Sequence, residues 1–481
     1  MSSLSRFCCL IGIVVLVSGC AVGPDYRRPE TTVPPTWQTP EQGGLKKRAT
    51  SPDQLAVWWH CLNDPLLSRL VEEAAANNLD LKLAAARLTE ARARRGYAAA
   101  DRYPTLQAGA GVTRSRSSEE TGSGRTSDSF GLQFDASWEP DLFGGKRRAL
   151  EAADATAEAA LEDLRATRVS LLAEVALAYL ELRSWQAQLA ILQANITSQT
   201  ETWQIARWRN KAGLVTQLDE DQARVNLEQT RALLPTLQSS LEQTKNNLAL
   251  LLGRPPGALT ELATPAALPF APAELAISIP ADTLRQRPDI RRAERKLAAA
   301  TAQIGVATAA RYPDLSLSGS VGLQALAVNN LFQPSAMLYS LAANTLMTIF
   351  DGGRISRNIE IQNALQEQAE LQYRSSVLTA LRDVENSLIA YGQELNRRES
   401  LKQAALAAQS AADIAGSQYR AGLVDFQSVL ETQRSLLSAQ EQLVRCEATV
   451  VANLARLYKA LGGGWSRTEA EKQILQEQPN D

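Results

Sequence analysis

The chain has 481 residues, 45% hydrophobic and 21% charged, with a formal net charge of −2 and a pI of 5.9. That length can bury several domains' worth of core, and the slight acidity gives no case for binding nucleic acid. A single histidine, His60, argues against histidine-dependent catalysis or a zinc centre, and Cys61 and Cys446 show no metal-type spacing, so no cofactor or metal is expected.

The N-terminus carries Arg6, an apolar run over 7–17, and then Val17-Ser18-Gly19-Cys20. The run is shorter than the roughly 20 residues of a membrane-spanning helix, so 1–19 reads as a cleavable signal peptide. Val17-Ser18-Gly19-Cys20 resembles a bacterial lipobox, which makes Cys20 a candidate for acylation and the mature chain a lipid-anchored one; the alternative is an ordinary secretory signal with an incidental cysteine. Ala21 stands where an Asp would hint at inner membrane retention, which favours the outer membrane. Six prolines between 21 and 53 predict an extended segment over 20–63.

Helical patterns begin near Asp64-Pro65, one over 66–77 and a second, rich in Ala, Leu and Arg, over 79–101. The period then changes. Phe130, Leu132, Phe134, Ala136 and Trp138 alternate with polar residues, and Leu106, Ala108, Ala110 and Val112 alternate before a Ser/Gly/Glu-rich turn, which predicts a β-hairpin over 105–140. Beyond Gly144-Gly145, Leu171, Val175, Ala178, Leu182, Trp185, Leu189, Leu192 and Ile196 form a coiled-coil seam. The long helical hairpin extends over 146–252. Its first arm, 67 residues, would be a rod of about 100 Å. Gly213 reverses the chain, and Leu234, Leu237, Leu241 and Leu248 mark the return arm.

The second half repeats the first. Ala212-Gly213-Leu214-Val215 recurs as Ala421-Gly422-Leu423-Val424, Arg102-Tyr103-Pro104 as Arg311-Tyr312-Pro313, and Leu252-Gly253 as Leu461-Gly462, each 209 residues later. One constant spacing over most of the chain signals a duplicated unit. The first repeat is therefore 64–256 and the second 257–465, the latter with a β-hairpin over 314–350, less regular in its second strand, and a long helical hairpin over 354–461. Val377, Leu381, Val384, Leu388 and Tyr391 carry its seam, and a polar tail over 466–481 is expected to be loose.

Four strands cannot close a membrane barrel. An open sheet in lipid leaves backbone groups unpaired at several kcal/mol each, so closure requires several copies of the chain around one axis. The competing interpretation is a small soluble sandwich on an ordinary intracellular coiled coil, which leaves the signal peptide and the matched repeats unexplained.

Cys20-Ala21-Val22-Gly23-Pro24-Asp25-Tyr26 with Pro29, Asp64-Pro65-Leu66, Leu284-Arg285-Gln286-Arg287-Pro288-Asp289-Ile290 and the paired Ala-Gly-Leu-Val tips together resemble TolC-like outer membrane efflux lipoproteins of the NodT subfamily. The fold class implied is mainly α with a transmembrane β-barrel portion: a homotrimer whose twelve-stranded barrel continues into a long α-helical coiled-coil barrel. The resemblance also implies a passive duct for drugs or other small molecules. A periplasmic adaptor (membrane fusion) protein and an inner membrane efflux pump would be its partners, with outer membrane lipid around the barrel, and the pump would supply the energy because the chain has no nucleotide-binding motif.

The resemblance further implies that Gly213, Leu214, Val215, Gly422, Leu423 and Val424 form adaptor-docking tips, although they also serve simply as turn residues. Tyr419 falls at a gate tyrosine and Asp219 at the position accepting its hydrogen bond. Ser428 and Glu431 fall at two acidic rings, of which only Glu431 keeps the charge. Some members place an Arg where Val424 stands, which puts a salt-bridge lock there in doubt. Asp219 and Glu431 are alternatively solvated faces of a coiled coil, and Trp138 either packs or joins an interfacial aromatic belt. The competing function is a non-pore structural or adhesive periplasmic coiled-coil lipoprotein. No Ser/His/Asp set can be assembled around His60, so no enzyme is expected.

Overall fold

The computed structural model describes residues 21–30, 33–40, 45–47, 52–270, 275–277 and 280–466. In chain order the elements are β1 (Leu45–Lys47), α1 (Pro52–Ala56), a 3₁₀ turn at Trp58–Leu62, α2 (Pro65–Asn77) and α3 (Leu79–Ala100). Strands β2 (Thr105–Arg116) and β3 (Thr126–Trp138) follow, then α4 (Gly145–Lys211) and α5 (Gln217–Leu251). After β4 (Leu275–Ile277) and α6 (Pro280–Gln286), the second half runs α7 (Pro288–Ala309), β5 (Asp314–Ala325), β6 (Met337–Leu346), α8 (Arg354–Arg420) and α9 (Phe426–Ala460). The long helices match pair by pair: α4 and α8 have 67 residues each, and α5 and α9 have 35 each. Among the described residues no helix is long and apolar enough to cross a membrane.

The chain divides into two compact units. Of the described residues, the first comprises those within 21–30, 86–161 and 291–375, the second those within 33–85, 162–290 and 376–466.

The first unit contains an antiparallel sheet in the order β2-β3-β5-β6. Its register sorts the side chains by chemistry. One face collects Val112, Phe130 and Ala325, then Ala110, Leu132, Leu323 and Met337, then Ala108, Phe134, Val321 and Tyr339, then Leu106, Ala136, Gly319 and Leu341. The opposite face carries Gln107, Asp135, Ser320 and Ser340, and Thr113 with Ser129. Every residue of β2 and nearly every residue of β6 is exposed, so among the described residues neither face is covered.

Below the strands the unit packs through small side chains, with Ala152, Ala155, Ala159, Ala298 and Ala302 buried. The extended segment 21–30 is bound along this part. Arg148, itself buried, donates from Nε to the Val22 carbonyl at 3.2 Å and from Nη2 to Asp25 Oδ1 at 2.6 Å. Arg28 pairs with Glu294 at 3.4 Å, and the Arg295 guanidinium lies 5.5 Å from the Tyr26 ring centre. Burial, with the Glu294 charge, pushes the Tyr26 phenol up to about 12.

The second unit has the large apolar core. Leu67, Leu70, Val71 and Ala74 of α2 pack with Leu171 to Leu182 of α4, Leu248 of α5 and its cap Leu252, Val384, Leu388 and Tyr391 of α8, and Val450 to Ala460 of α9 with its cap Leu461. Here α4 is buried nearly all round rather than along one seam, because helices surround it. The segment expected to be extended over 20–63 contains α1 and the 3₁₀ turn. Leu55, Trp58, Trp59 and Leu62 drive that difference by entering the core, where Trp58 stacks on Tyr458 at 5.3 Å. Asp64 caps α2 through the Leu66 and Leu67 N–H groups, and its other oxygen accepts from the Tyr179 hydroxyl at 2.6 Å. Arg287 binds Asp289 and the Ala460 carbonyl at 2.9 Å, so Arg287-Pro288-Asp289 both starts α7 and closes the end of α9.

Gly23 combines φ +91° with a close approach: a Cβ there would stand 2.5 Å from Gly305 Cα. Gly23→Ala should therefore destabilise the folded protein by more than about 1 kcal/mol, read as a lowered thermal midpoint. An unchanged midpoint would show that segment 21–30 contributes nothing to the fold.

Candidate functional site

The second unit contains the reversals expected at Gly213 and Gly422. Gly213 takes φ +70° and Gly422 φ +77°, the left-handed conformation in which glycine carries no Cβ penalty. At each end the chain makes the same pair of bonds: Gly213 N–H to the Asn210 carbonyl with Leu214 N–H to Arg209, and Gly422 N–H to Tyr419 with Leu423 N–H to Gln418. These close the orphan carbonyls of α4 and α8. The residue after each turn then caps the return helix. Thr216 and Asp219 form a reciprocal box at the start of α5, and Asp425 caps α9 through Ser428.

Leu214 and Leu423 are exposed, whereas Val215 and Val424 are half-buried, so the apolar tip differs from the four residues expected. Val424 packs against a small core of Ala206, Ala223, Tyr419, Phe426, Val429 and Leu430. Trp208 and Leu218, 64% and 63% exposed, extend the apolar surface instead.

Tyr419 is buried in that core, 5.5 Å from Phe426 edge to face. Its expected hydrogen bond to Asp219 is not formed within one chain. The Asp219 carboxylate accepts instead from Thr216 N–H at 3.0 Å and Thr216 Oγ1 at 2.9 Å, and the Tyr419 hydroxyl has no partner of good geometry among the described residues. Burial raises the Tyr419 phenol above its ordinary value, Arg209 opposes that, and Asp219 adds to it.

What holds Tyr419 is Arg209. Its Nη1 donates to the Tyr419 carbonyl at 2.6 Å while its guanidinium lies 4.7 Å from the Tyr419 ring centre. A cation at the carbonyl end of α8 also matches the helix dipole. Arg209 belongs to the first repeat and Tyr419 to the second, so this contact ties one helical hairpin to the other. Farther along, Arg434 Nε to Asn226 Oδ1 at 3.0 Å and Gln433 Nε2 to Thr202 Oγ1 at 2.9 Å repeat the tie. Beside them lies a polar cleft of about 520 Å³ lined by Asn195, Ser198, Thr202, Asp413, Tyr419 and Gln433.

Ser428 uses its hydroxyl on Asp425 Oδ1 at 2.7 Å, so it serves the helix cap. Glu431, one turn on, is exposed, with no ion-pair partner among the described residues. Asp425 was missed from the sequence although Asp425-x-x-Ser428 is a readable cap. Arg209 was missed because its partner is 210 positions away.

In the first unit, Cys20 itself lies outside the described residues, but Val22 N–H donates to the Phe143 carbonyl at 3.1 Å. The chain emerging from Ala21 therefore begins where β3 ends. Aromatic groups gather at the same level: Phe143 stacks on Tyr312 at 4.7 Å, and Trp138 Nε1 donates to the Arg102 carbonyl at 3.0 Å.

A duplicated helical hairpin carrying a β-sheet with one apolar face defines a TolC-like outer membrane channel. The family model "Outer membrane efflux protein" matches twice, over residues 70–254 and 279–463. The chain belongs to this outer membrane efflux protein family. It is 32% identical to Nodulation protein T of Rhizobium leguminosarum bv. trifolii, covering 94% of this chain and 96% of that one. It is likewise 32% identical to the cation efflux system protein CusC of Escherichia coli O6:H1, over 95% and 98% of the two chains. Among solved structures, the outer-membrane channel OprN superposes with TM-score 0.86 at 36% identity, covering 93% of this chain and all (100%) of that one. The open state of the MtrE outer membrane channel of Neisseria gonorrhoeae superposes with TM-score 0.82 at 29% identity, over 93% and 99%.

Ser428 N–H and Oγ hold the Asp425 carboxyl below its ordinary value of 3.8. A lowered folded pKa gives stability that is complete above the unfolded value and lost as the pH falls through the folded one. Hydrogen-exchange protection of the first turn of α9, taken relative to the intrinsic rate at each pH, should accordingly fall in acid in the native protein. Asp425→Asn should keep protection at neutral pH but lose the acid dependence, and identical pH profiles for the two would exclude this cap.

Proposed function

We propose that three copies of this chain close a twelve-stranded outer membrane barrel. Their helices continue it as an α-helical tube through the periplasm, forming a passive duct in a tripartite efflux system. The observation that carries this reading is the sheet: four antiparallel strands with one apolar face and both edges, β2 and β6, unpaired. Each unpaired backbone group in hydrocarbon costs several kcal/mol, and four strands are too few for one chain to close. Because the number is even, the β6 edge of one copy meets the β2 edge of the next in antiparallel sense, and a three-fold axis closes the ring with no edge left. Twelve-residue strands tilted by about 45° cross roughly 28 Å, the thickness of a hydrocarbon core.

In this assembly the apolar face meets lipid and the Gln, Asp and Ser face lines water. Acylated Cys20 supplies a second anchor at the foot of the sheet, since each buried acyl CH₂ contributes ~0.8 kcal/mol. Leu214, Leu218, Leu423 and Trp208 are the surface offered to a periplasmic adaptor protein, and an inner membrane pump provides the energy. The chain is a conduit rather than an enzyme. A structural or adhesive lipoprotein with no pore leaves the sheet's apolar face and both its edges uncovered.

At the periplasmic end, Arg209 replaces the lock that Val424 cannot supply. Its grip on Tyr419 holds the second hairpin against the first, with Asp219 beside it. Three symmetry-related Glu431 carboxylates form an acidic constriction that favours cations.

Planar bilayer recordings of the purified acylated protein test both parts. Native channels should conduct weakly and prefer cations. Arg209→Ala removes ~2 kcal/mol per chain, so its open-to-closed ratio should rise roughly thirtyfold for each chain that opens. Glu431→Ala should conduct but lose cation preference. Silence from the native protein and from Arg209→Ala alike would refute the duct, and unchanged selectivity in Glu431→Ala would remove the acidic ring.

A further inference from the structure

We infer that Arg102-Tyr103 and Arg311-Tyr312, at the foot of the sheet, are two equivalent sites for the phosphate of an anionic phospholipid headgroup. The inference rests on the reading that the sheet spans the membrane. The duplicated Arg-Tyr-Pro stands where α3 gives way to β2 and where α7 gives way to β5, and the backbone is alike at both. Arg102 N–H bonds the Ala99 carbonyl and Tyr103 N–H the Ala100 carbonyl; Arg311 and Tyr312 make the same bonds to Thr308 and Ala309.

Two independent features support this level as the membrane boundary. Trp138 lies on the apolar face of β3, paired with Leu317, and reaches the Arg102 carbonyl, which brings residue 102 to the lipid side. Tyr312 stacks on Phe143, whose carbonyl holds Val22, two residues beyond the candidate acylation site Cys20. An exposed tyrosine ring with an adjacent guanidinium is suited to the interface between acyl chains and headgroups.

The charge pattern selects the ligand. Cations nearby are already neutralised: Lys146 by Glu139 at 3.0 Å, Arg147 by Asp141 at 3.4 Å, and Arg148 by Asp25 and Glu151. Asp351 is taken up by the Gly353 and Ile355 N–H groups. Asp314 shares the polar face with Ser316 and Ser318, and Asp101 is the remaining acid beside Arg102. The Arg102 and Arg311 side chains are exposed and have no ion-pair partner among the described residues. A guanidinium aimed at phosphate makes two parallel charge-assisted bonds, which a zwitterionic surface engages less favourably. Each arginine should contribute roughly a fivefold preference for anionic lipid.

The test is native mass spectrometry of the acylated full-length protein equilibrated with equal amounts of phosphatidylglycerol and phosphatidylcholine, alongside bilayer conductance. Native protein should retain phosphatidylglycerol in severalfold excess, and Arg102→Gln/Arg311→Gln should lose that excess while conducting normally. No preference in the native protein, or an undiminished one in the double variant, overturns the inference while leaving the channel intact. A double variant with altered conductance and intact lipid preference places the arginines in the lumen and likewise overturns it. Absence of conductance in the native protein is instead a failure of the duct.

Discussion

Backbone hydrogen bonding at the edges of one sheet is the constraint on which the rest of this molecule depends. A water-exposed edge is satisfied by solvent, but an edge in hydrocarbon must find another strand. The register of β2, β3 and β5 puts Leu, Val, Phe and Ala on one face and Gln, Ser, Thr and Asp on the other, while β6 adds Leu338, Ala342 and Leu346 to the second face beside Ser340 and Asn344. In the proposed assembly, with lipid on the first face and water on the second, the remaining partners for β2 and β6 are the edges of other copies, and oligomerisation would follow from polar satisfaction in the membrane rather than from a large apolar interface between folded monomers.

The helices meet a different demand. Where the core of the second unit is dense, large apolar side chains from six helices fill it, and Trp58 and Trp59 plug it from the N-terminal side. Toward the tips the contacts between hairpins become polar: Arg445 with Gln188, Gln440 with Asn195, Gln433 with Thr202, Arg434 with Asn226, and Arg209 with Tyr419. Polar ties have directional geometry and can exchange with water, so apart from the small apolar cluster around Tyr419 and Phe426 the hairpins can separate near the tips at modest apolar cost. In the proposed duct, that chemistry suits an end that opens for export.

Much of this was legible in the sequence, because it is written in short-range patterns. Alternation from Phe130 to Trp138 gives a strand, the glycines of the two Ala-Gly-Leu-Val segments give reversals, and the 209-residue spacing gives the duplication. Legibility failed where partners are distant or where burial overrides local composition. Proline-rich composition hid α1 and the Trp58–Leu62 turn, because apolar burial and not propensity forms them. β1 and β4 pair in parallel across 230 residues and left no local trace. At the tips, Tyr419 was readable by position, but its actual holder, Arg209, was not, and Ser428 owes its place to a helix cap that only Asp425 reveals.

Edge-to-edge pairing can be measured directly by cross-linking in intact membranes. In a background with Cys61 and Cys446 replaced by serine, Ala110→Cys on β2 and Leu341→Cys on β6 each place one thiol near the middle of an edge strand. Oxidation of a set of such pairs at neighbouring registers should give a ladder that stops at three chains. Single copies at every register, or a ladder that continues past three, would contradict the closed three-chain barrel.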